Sequence, residues 1–289
     1  MEKVSVIIVN YKTPKLVVDC IDSIKKYCSR HSFEIIVVDN HSEDDSVNII
    51  SKCHKDIILL ENKTNGGFGK ANNLGVSYAT GKYVLLLNSD TVVFADIIDI
   101  FVQSYLYISS KTKVGCIGIH LLNEEGRNSH SFGFFPKSFG VANKSLYQDD
   151  IFKPVHVVIG ADMFLEKSLF DSFNGFDENI FLYEEELELQ YRFFCAGFQN
   201  YYVDKVGINH LEGKSSSSFF KRKCSFISNC YIYNLHFSKF KYYKFRASYS
   251  CRAFLGIFKS KSIGMVKEKI KFFILTISYF LENGKPSYR

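Results

Sequence analysis

Four short apolar runs, VSVIIV (residues 4–9), FEIIVVD (33–39), DIILLE (56–61) and KYVLLLNSD (82–90), alternate with segments of helical period. Runs this short and this rich in β-branched residues are what parallel strands buried on both faces look like. Between them, Leu16, Val17, Cys20, Ile21 and Ile24 repeat along residues 14–26, behind Thr13 as a candidate N-cap with Pro14 at the first helical position. Two more helices are expected over 42–53 and 69–79, the second closed by Gly81. Regular β-α alternation predicts a doubly wound open sheet, with ligands outside the carboxyl ends of its strands.

After residue 114 the alternation loosens. VGCIGIHLL (114–122) reads as a strand, RNSHSFGFF (127–135) as a hairpin or loop, and VHVVIGADMFLEK (155–167) as one strand leading into a short helix. FQNYYVD (198–204) and VGINH (206–210) read as two further short strands, and the serines at 215–218 as a loop. Beyond that the chain turns helical, basic and aromatic. Residues 219–289 carry fifteen Lys and Arg against only Glu268 and Glu282, a surplus of +13 that leaves −7 on residues 1–218 within the overall +6. Such asymmetry points to an anionic partner for the basic part. The expected division is therefore 1–218 and 219–289.

The eight cysteines form no C-x-x-C pair or compact framework, which suits reduced thiols in a cytoplasmic protein. The first residues carry no signal-peptide pattern, and FFILTISYFL (272–281) is about half the ~20 residues a bilayer-spanning helix needs.

Polar residues close each early strand: Asn10 and Tyr11, then Asp39 and Asn40, then Asn88, Ser89 and Asp90. In the third connection Gly66, Gly67 and Gly69 precede a helix, either to let backbone N–H groups meet a phosphate or simply to make a tight turn. Asp90 suits a hard divalent cation shared with a diphosphate, or a strand-end cap. His210 could be a metal ligand, a phosphate contact or a polar strand terminus. Four glutamates crowd FLYEEELELQYRF (181–193). Glu184 and Glu188 fit a helix starting near Glu184, through its dipole and an i,i+4 pair with Arg192. Glu185 and Glu186, set against apolar neighbours, have the surroundings that raise a carboxyl pKa toward that of a general base.

Taken in order, VSVIIVNYKTP, IIVVDNHSED, NGGFGKANNLG, YVLLLNSDT, FNGFDENIFLYEEELELQYRFFCAGF and INHLEGKSS resemble the inverting family 2 glycosyltransferases, and most of all their bacterial rhamnosyltransferase-like branch of surface polysaccharide synthesis, whether lipopolysaccharide or capsule. The resemblance spans about residues 3–218. It implies an α/β fold of the GT-A (Rossmann-like) type, a mixed open sheet with helices on both faces, followed by the basic helical segment. It implies that Asn10, Tyr11 and Asp39 line the base and ribose, that Gly67 and Asn73 shape the nucleotide wall, and that Asn88 and Asp90 occupy the D-x-D position, with Asn88 leaving one carboxylate for Mg²⁺ or Mn²⁺. His210 matches a histidine near the diphosphate and metal. The family's Glu-Asp pair falls on Glu185 and Glu186, making Glu186 the base; a glutamate in place of the usual aspartate leaves the choice between the two open. Asp162, unusual in GADMF, falls at a sugar- or acceptor-facing strand end, and Glu185 falls on the acceptor side.

These roles imply single-displacement transfer from a nucleotide-sugar, with a dTDP- or a UDP-sugar donor equally open and rhamnose named from the branch alone. The acceptor would be a glycan or a lipid-linked oligosaccharide. The basic aromatic segment reads as amphipathic helices for an anionic membrane surface at the inner face of the cell membrane, or as apolar faces that cover the main domain or pair in a dimer. No nucleic-acid motif is present, so no nucleic-acid partner is expected. A catalytically silent nucleotide-sugar binder and a membrane-surface adaptor are the alternatives from other classes.

Overall fold

The computed structural model describes residues 2–129, 131–141, 148–211, 218–260, 262–279, 281 and 284–288. Gly213 and the serines at 215–217 lie outside the described residues. The first half follows the predicted alternation: β1 (Val4–Asn10), α1 (Pro14–Tyr27), β2 (Phe33–Asp39), α2 (Ser46–Cys53), β3 (Ile58–Glu61), α3 (Phe68–Tyr78) and β4 (Tyr83–Asn88). Then come β5 (Thr91–Val93), α4 (Ile97–Ser109), β6 (Val114–Leu122), β7 (Phe132–Gly133), β8 (Phe152–Val155), β9 (Val157–Val158), β10 (Asp162–Glu166), α5 (Lys167–Ser172), α6 (Glu185–Cys195) and β11 (Gln199–His210). Three helices follow, α7 (Ser218–His236), α8 (Lys239–Ile257) and α9 (Ile263–Ser278).

The main sheet runs β3-β2-β1-β4-β10-β6-β11-β5, with β8 on β11. Its first four strands are parallel, with Asn10 opposite Asp39 and Val9 opposite Asn88. Because parallel strands end on the same side, this register gathers the polar termini along one edge. β10 then enters antiparallel between β4 and β6, with Asp162 opposite Leu87. The sheet is therefore a mixed open sheet, as expected. Helices cover both faces: Ile21, Ile24, Ile97 and Phe101 pack on one, and Val76, Phe170, Leu189 and Phe193 on the other. A third apolar cluster joins α7, α8 and α9 to Phe135, Phe139 and Ile180.

Several boundaries differ from the sequence reading. The run 155–167 is not one strand: β8 pairs with β11, β9 with β7, and β10 with β4. Successive short pieces thus change partners, which apolarity alone does not reveal. Conversely, 198–204 and 206–210 form a single strand, whose register shifts around Val206 absorb the break. α2 begins at Ser46 because residues 39–42 are held in a turn in which Asp39 accepts from both the N–H and the hydroxyl of Ser42. Gly81 is no left-handed helix cap. A Cβ there would stand 2.7 Å from the Ser5 nitrogen, so the glycine lets the chain cross β1 closely.

Candidate active site

Along the carboxyl edge lies a cavity of about 400 Å³, lined by Tyr11, Thr13, Asn40, Asn65, Gly67, Phe68, Asn88, Ser89, Asp90, Phe181, Tyr183 and Phe220 among others. Behind its lining residues Thr13 and Asn40 runs a polar network of Asn10, Asp39 and Ser42 that does not itself line the cavity. Asn10 is fully buried and donates to Asp39 at 2.6 Å and to Ser42 at 3.1 Å, while its own amide oxygen accepts from the N–H of Thr13. Asn40 donates to Asn65 and to the Gly67 carbonyl, and accepts from Asn62. Lys12 and His41, the residues just beyond these strand ends, hold positive φ angles, as do Tyr183 and Glu184 across the cavity. Left-handed backbone at non-glycine residues costs on the order of 1–3 kcal/mol each and tends to cluster at functional sites.

Asp90 and His210 meet at the cavity. His210 Nε2 lies 3.3 Å from Asp90 Oδ1, and each side chain is only 13% exposed. The pairing is a product of the sheet, since His210 sits opposite Thr91 where β11 meets β5. The other ring nitrogen, Nδ1, is buried without a partner. One carboxylate and one imidazole fit a divalent cation whose remaining ligands are phosphate oxygens and water. Among the described residues no cluster of three metal-ligating side chains occurs.

The four glutamates separate into different environments. Glu184 adopts a left-handed conformation (φ 75°) that caps α6, and its carboxylate accepts from Ser225 of α7 at 2.5 Å. Glu188 is buried and held by Arg192 at i,i+4 and by His236 of α7, both contacts at 2.8–2.9 Å. Glu185 is buried beneath α3 with Oε2 unpartnered, and burial pushes its pKa well above the ordinary carboxylate value, with the Glu186 charge adding to the shift. Glu186 is half-buried. Burial first, then the charge of Glu184, raise its pKa to about 7, against the pull of hydrogen bonds from its own N–H and that of Gly160.

Gly160 connects Glu186 to the cavity. A Cβ at Gly160 would touch the ring of Phe68, which lines the cavity, and the carbonyl of the next residue, Ala161, accepts the N–H of Asn88 at 3.0 Å. Glu186 itself is not in the lining.

Two residues have other positions than expected. Asp162 faces away from the cavity, fully buried, with Oδ2 accepting from the N–H of Ile119 at 2.7 Å and Oδ1 unpartnered. It bridges β10 to β6, strands whose ladder pairs only Phe164 with Ile117, and burial raises its pKa well above normal. Asn73 uses both ends of its amide on the backbone of Phe176, so it supports the wall from behind. The glycine-rich loop serves chain packing: Gly66, Gly67 and Phe68 spend their N–H groups on Asn40, Asn65 and the Phe181 carbonyl. Gly67 has φ 86°, and a Cβ there would lie 1.8 Å from the Phe181 oxygen.

Sequence reasoning passed over Ser42, Asn65, Phe181 and Phe220. The last comes from α7, on which the side chains of Ser225, Ser228, Tyr231 and His236 all bond residues between 177 and 188. A signal was present: CSFISNCYIY (224–233) has no charge, unlike the basic stretches that follow it.

Comparison with known proteins bears on this arrangement. The model of the family described as glycosyl transferase family 2 matches residues 5–171. The low-salt glycan biosynthesis hexosyltransferase Agl10 of Haloferax volcanii is 30% identical over 202 residues, covering 66% of this chain and 62% of its own length. The rhamnosyltransferase WbbL of Escherichia coli is 26% identical over 216 residues, 63% of this chain and 79% of the relative. In fold, the chain is similar to S. aureus TarS in complex with UDP, with a TM-score of 0.57 at 17% identity over 81% of this chain and 64% of that one. The chain thus spans somewhat under two thirds of the length of Agl10 and of that TarS chain.

Proposed function

Since the chain belongs to glycosyl transferase family 2, we propose that it transfers a sugar from a nucleotide diphosphate donor to an acceptor hydroxyl, inverting the anomeric centre, in surface polysaccharide synthesis. The observation that carries this reading is the Glu186 carboxyl. Its pKa of about 7 is that of a general base working near neutrality, and it stands one dipeptide from the strand end that carries Asn88 and Asp90.

In this reading the nucleoside lies against Tyr11 and Asn40, which the buried Asn10–Asp39 pair supports from behind, and Gly67 closes its wall. The diphosphate lies toward Asn88 and Asp90. Asp90 and His210 would hold Mg²⁺ or Mn²⁺, which supplies charge neutralisation to the diphosphate leaving group. Glu186 takes the proton from the acceptor hydroxyl as that oxygen attacks from the face opposite the leaving group, so no covalent sugar–enzyme intermediate forms. Burial and the charge of Glu184 hold the Glu186 pKa up, while Glu185, itself buried, is not the base in this reading.

The relatives' names suggest hexose or rhamnose as the sugar. A dTDP- or UDP-sugar is the donor class we favour, and a glycan or lipid-linked oligosaccharide the acceptor. We read residues 1–218 as the transferase domain and 219–289 as a segment that places it peripherally on the inner face of the cell membrane. No helix among the described residues is long and apolar enough to cross a membrane. A panel of nucleotide-sugars, each with Mg²⁺, Mn²⁺ or EDTA, provides the test. Metal-dependent thermal stabilisation by one donor, followed by an inverted product, is expected. No stabilisation by any nucleotide would instead favour a membrane-surface adaptor, and stabilisation without transfer a silent binder.

A further inference from the structure

We propose that the cavity between α7, α8 and α9 is a second binding site, for a phosphoryl group carried by a membrane lipid. The cavity holds about 320 Å³ and is lined by Arg222, Tyr249, Arg252, Gly256, Lys269 and Phe272. Its three cations come from three different helices, and among the described residues none of them forms an ion pair with a carboxylate. Bringing like charges together around a partly enclosed space is unfavourable unless an anion offsets it.

The cations are also held in place. The Arg222 guanidinium lies 4.3 Å from the Phe272 ring centre and that of Arg252 5.6 Å from the Tyr249 ring, while Lys269 donates to the Gly256 carbonyl at 2.8 Å. Two guanidinium forks and an ammonium, ordered before any ligand arrives, are the donor set that phosphate oxygens favour.

The surroundings say where the phosphate comes from. Phe254 of α8, Phe258 just past its end, and Ile263, Ile270 and Ile274 of α9 are exposed, Phe258 and Ile263 by 74% and 77%. The Phe254–Phe273 ring contact at 5.3 Å keeps the two helices together, so cationic cavity and apolar stripe belong to one hairpin. An amphiphile with an anionic head and apolar chains matches both. The inference deepens the peripheral-membrane part of the proposed function but uses no property of the crevice; a failed donor screen would leave it standing.

The test is sedimentation of the full chain with vesicles of phosphatidylcholine, alone or doped with phosphatidic acid, alongside thermal shift with inorganic pyrophosphate. Binding to the doped vesicles alone is expected. R252Q and K269Q should each weaken it about fivefold and the double variant roughly twenty-five-fold, whereas K244Q and K267Q, off the cavity, should change it far less. Equal losses in all four single variants would reduce the effect to general surface charge and overturn the site. Absence of vesicle binding, with pyrophosphate stabilising the wild type but not the double variant, would overturn the lipid source and assign the cavity to a free phosphate. No response to either ligand would overturn both.

Discussion

The Glu186 carboxyl lies beside the backbone N–H of Gly160, and the adjoining Ala161 carbonyl takes the N–H of Asn88. The Gly160–Ala161 dipeptide therefore lies between the carboxyl with the neutral-range pKa and the strand end next to Asp90. A base and a diphosphate site positioned by the same few backbone atoms need little reorganisation before reaction, which is where much of a transferase's rate originates.

Glu186→Gln should lower kcat by on the order of 10²–10⁴ while the donor-dependent thermal shift remains. Glu185→Gln should keep kcat within roughly tenfold, because its carboxyl is buried and burial favours the neutral form that a glutamine amide mimics. Steady-state kinetics of the two variants decide the assignment, and the opposite ranking would make Glu185 the base.

The pH dependence follows from the same carboxyl. Activity should rise as pH climbs through about 7, where Glu186 loses its proton. Stability should move the other way. The folded chain keeps a proton on Glu186 that the unfolded chain has released above about 4.5, so this contribution is full below 4.5 and fades as pH rises through 7. Glu34 and Asp204, held down to about 2 by hydrogen bonds and ion pairs, act at the acid end, where their contribution is lost as pH falls toward 2. Denaturant titrations of the wild type and Glu186→Gln across pH 5–8 should show a flatter slope in the variant.

Gly67→Ala should cost more than about 2 kcal/mol, since a left-handed backbone and a Cβ placed on the Phe181 carbonyl both oppose it. Gly133→Ala, where a Cβ meets nothing within 4 Å, should stay within about 0.5 kcal/mol. Chemical denaturation compares the two directly.

Asp162→Asn should change stability and kcat little, because burial favours the neutral form of this carboxyl and an amide oxygen can still accept from Ile119. Asp162→Ala should cost about 1–3 kcal/mol by orphaning that N–H. A changed acceptor preference in Asp162→Asn, measured by product analysis, would return this residue to the acceptor side.

What the sequence determined by itself was local and periodic. Strand-length apolar runs alternating with helical spacing dictate a parallel half-sheet, and parallel strands bring Asn10, Asp39 and Asn88 to one edge whatever lies around them. The tertiary structure decided which groups meet across long stretches of chain: His210 beside Asp90, Phe181 over Gly67, Ser225 on Glu184, and Asp162 turned into the sheet toward Ile119. Those contacts depend on which strand or helix lies next to which. Burial, and with it every raised carboxyl pKa, is a property of that neighbourhood, not of spacing along the chain.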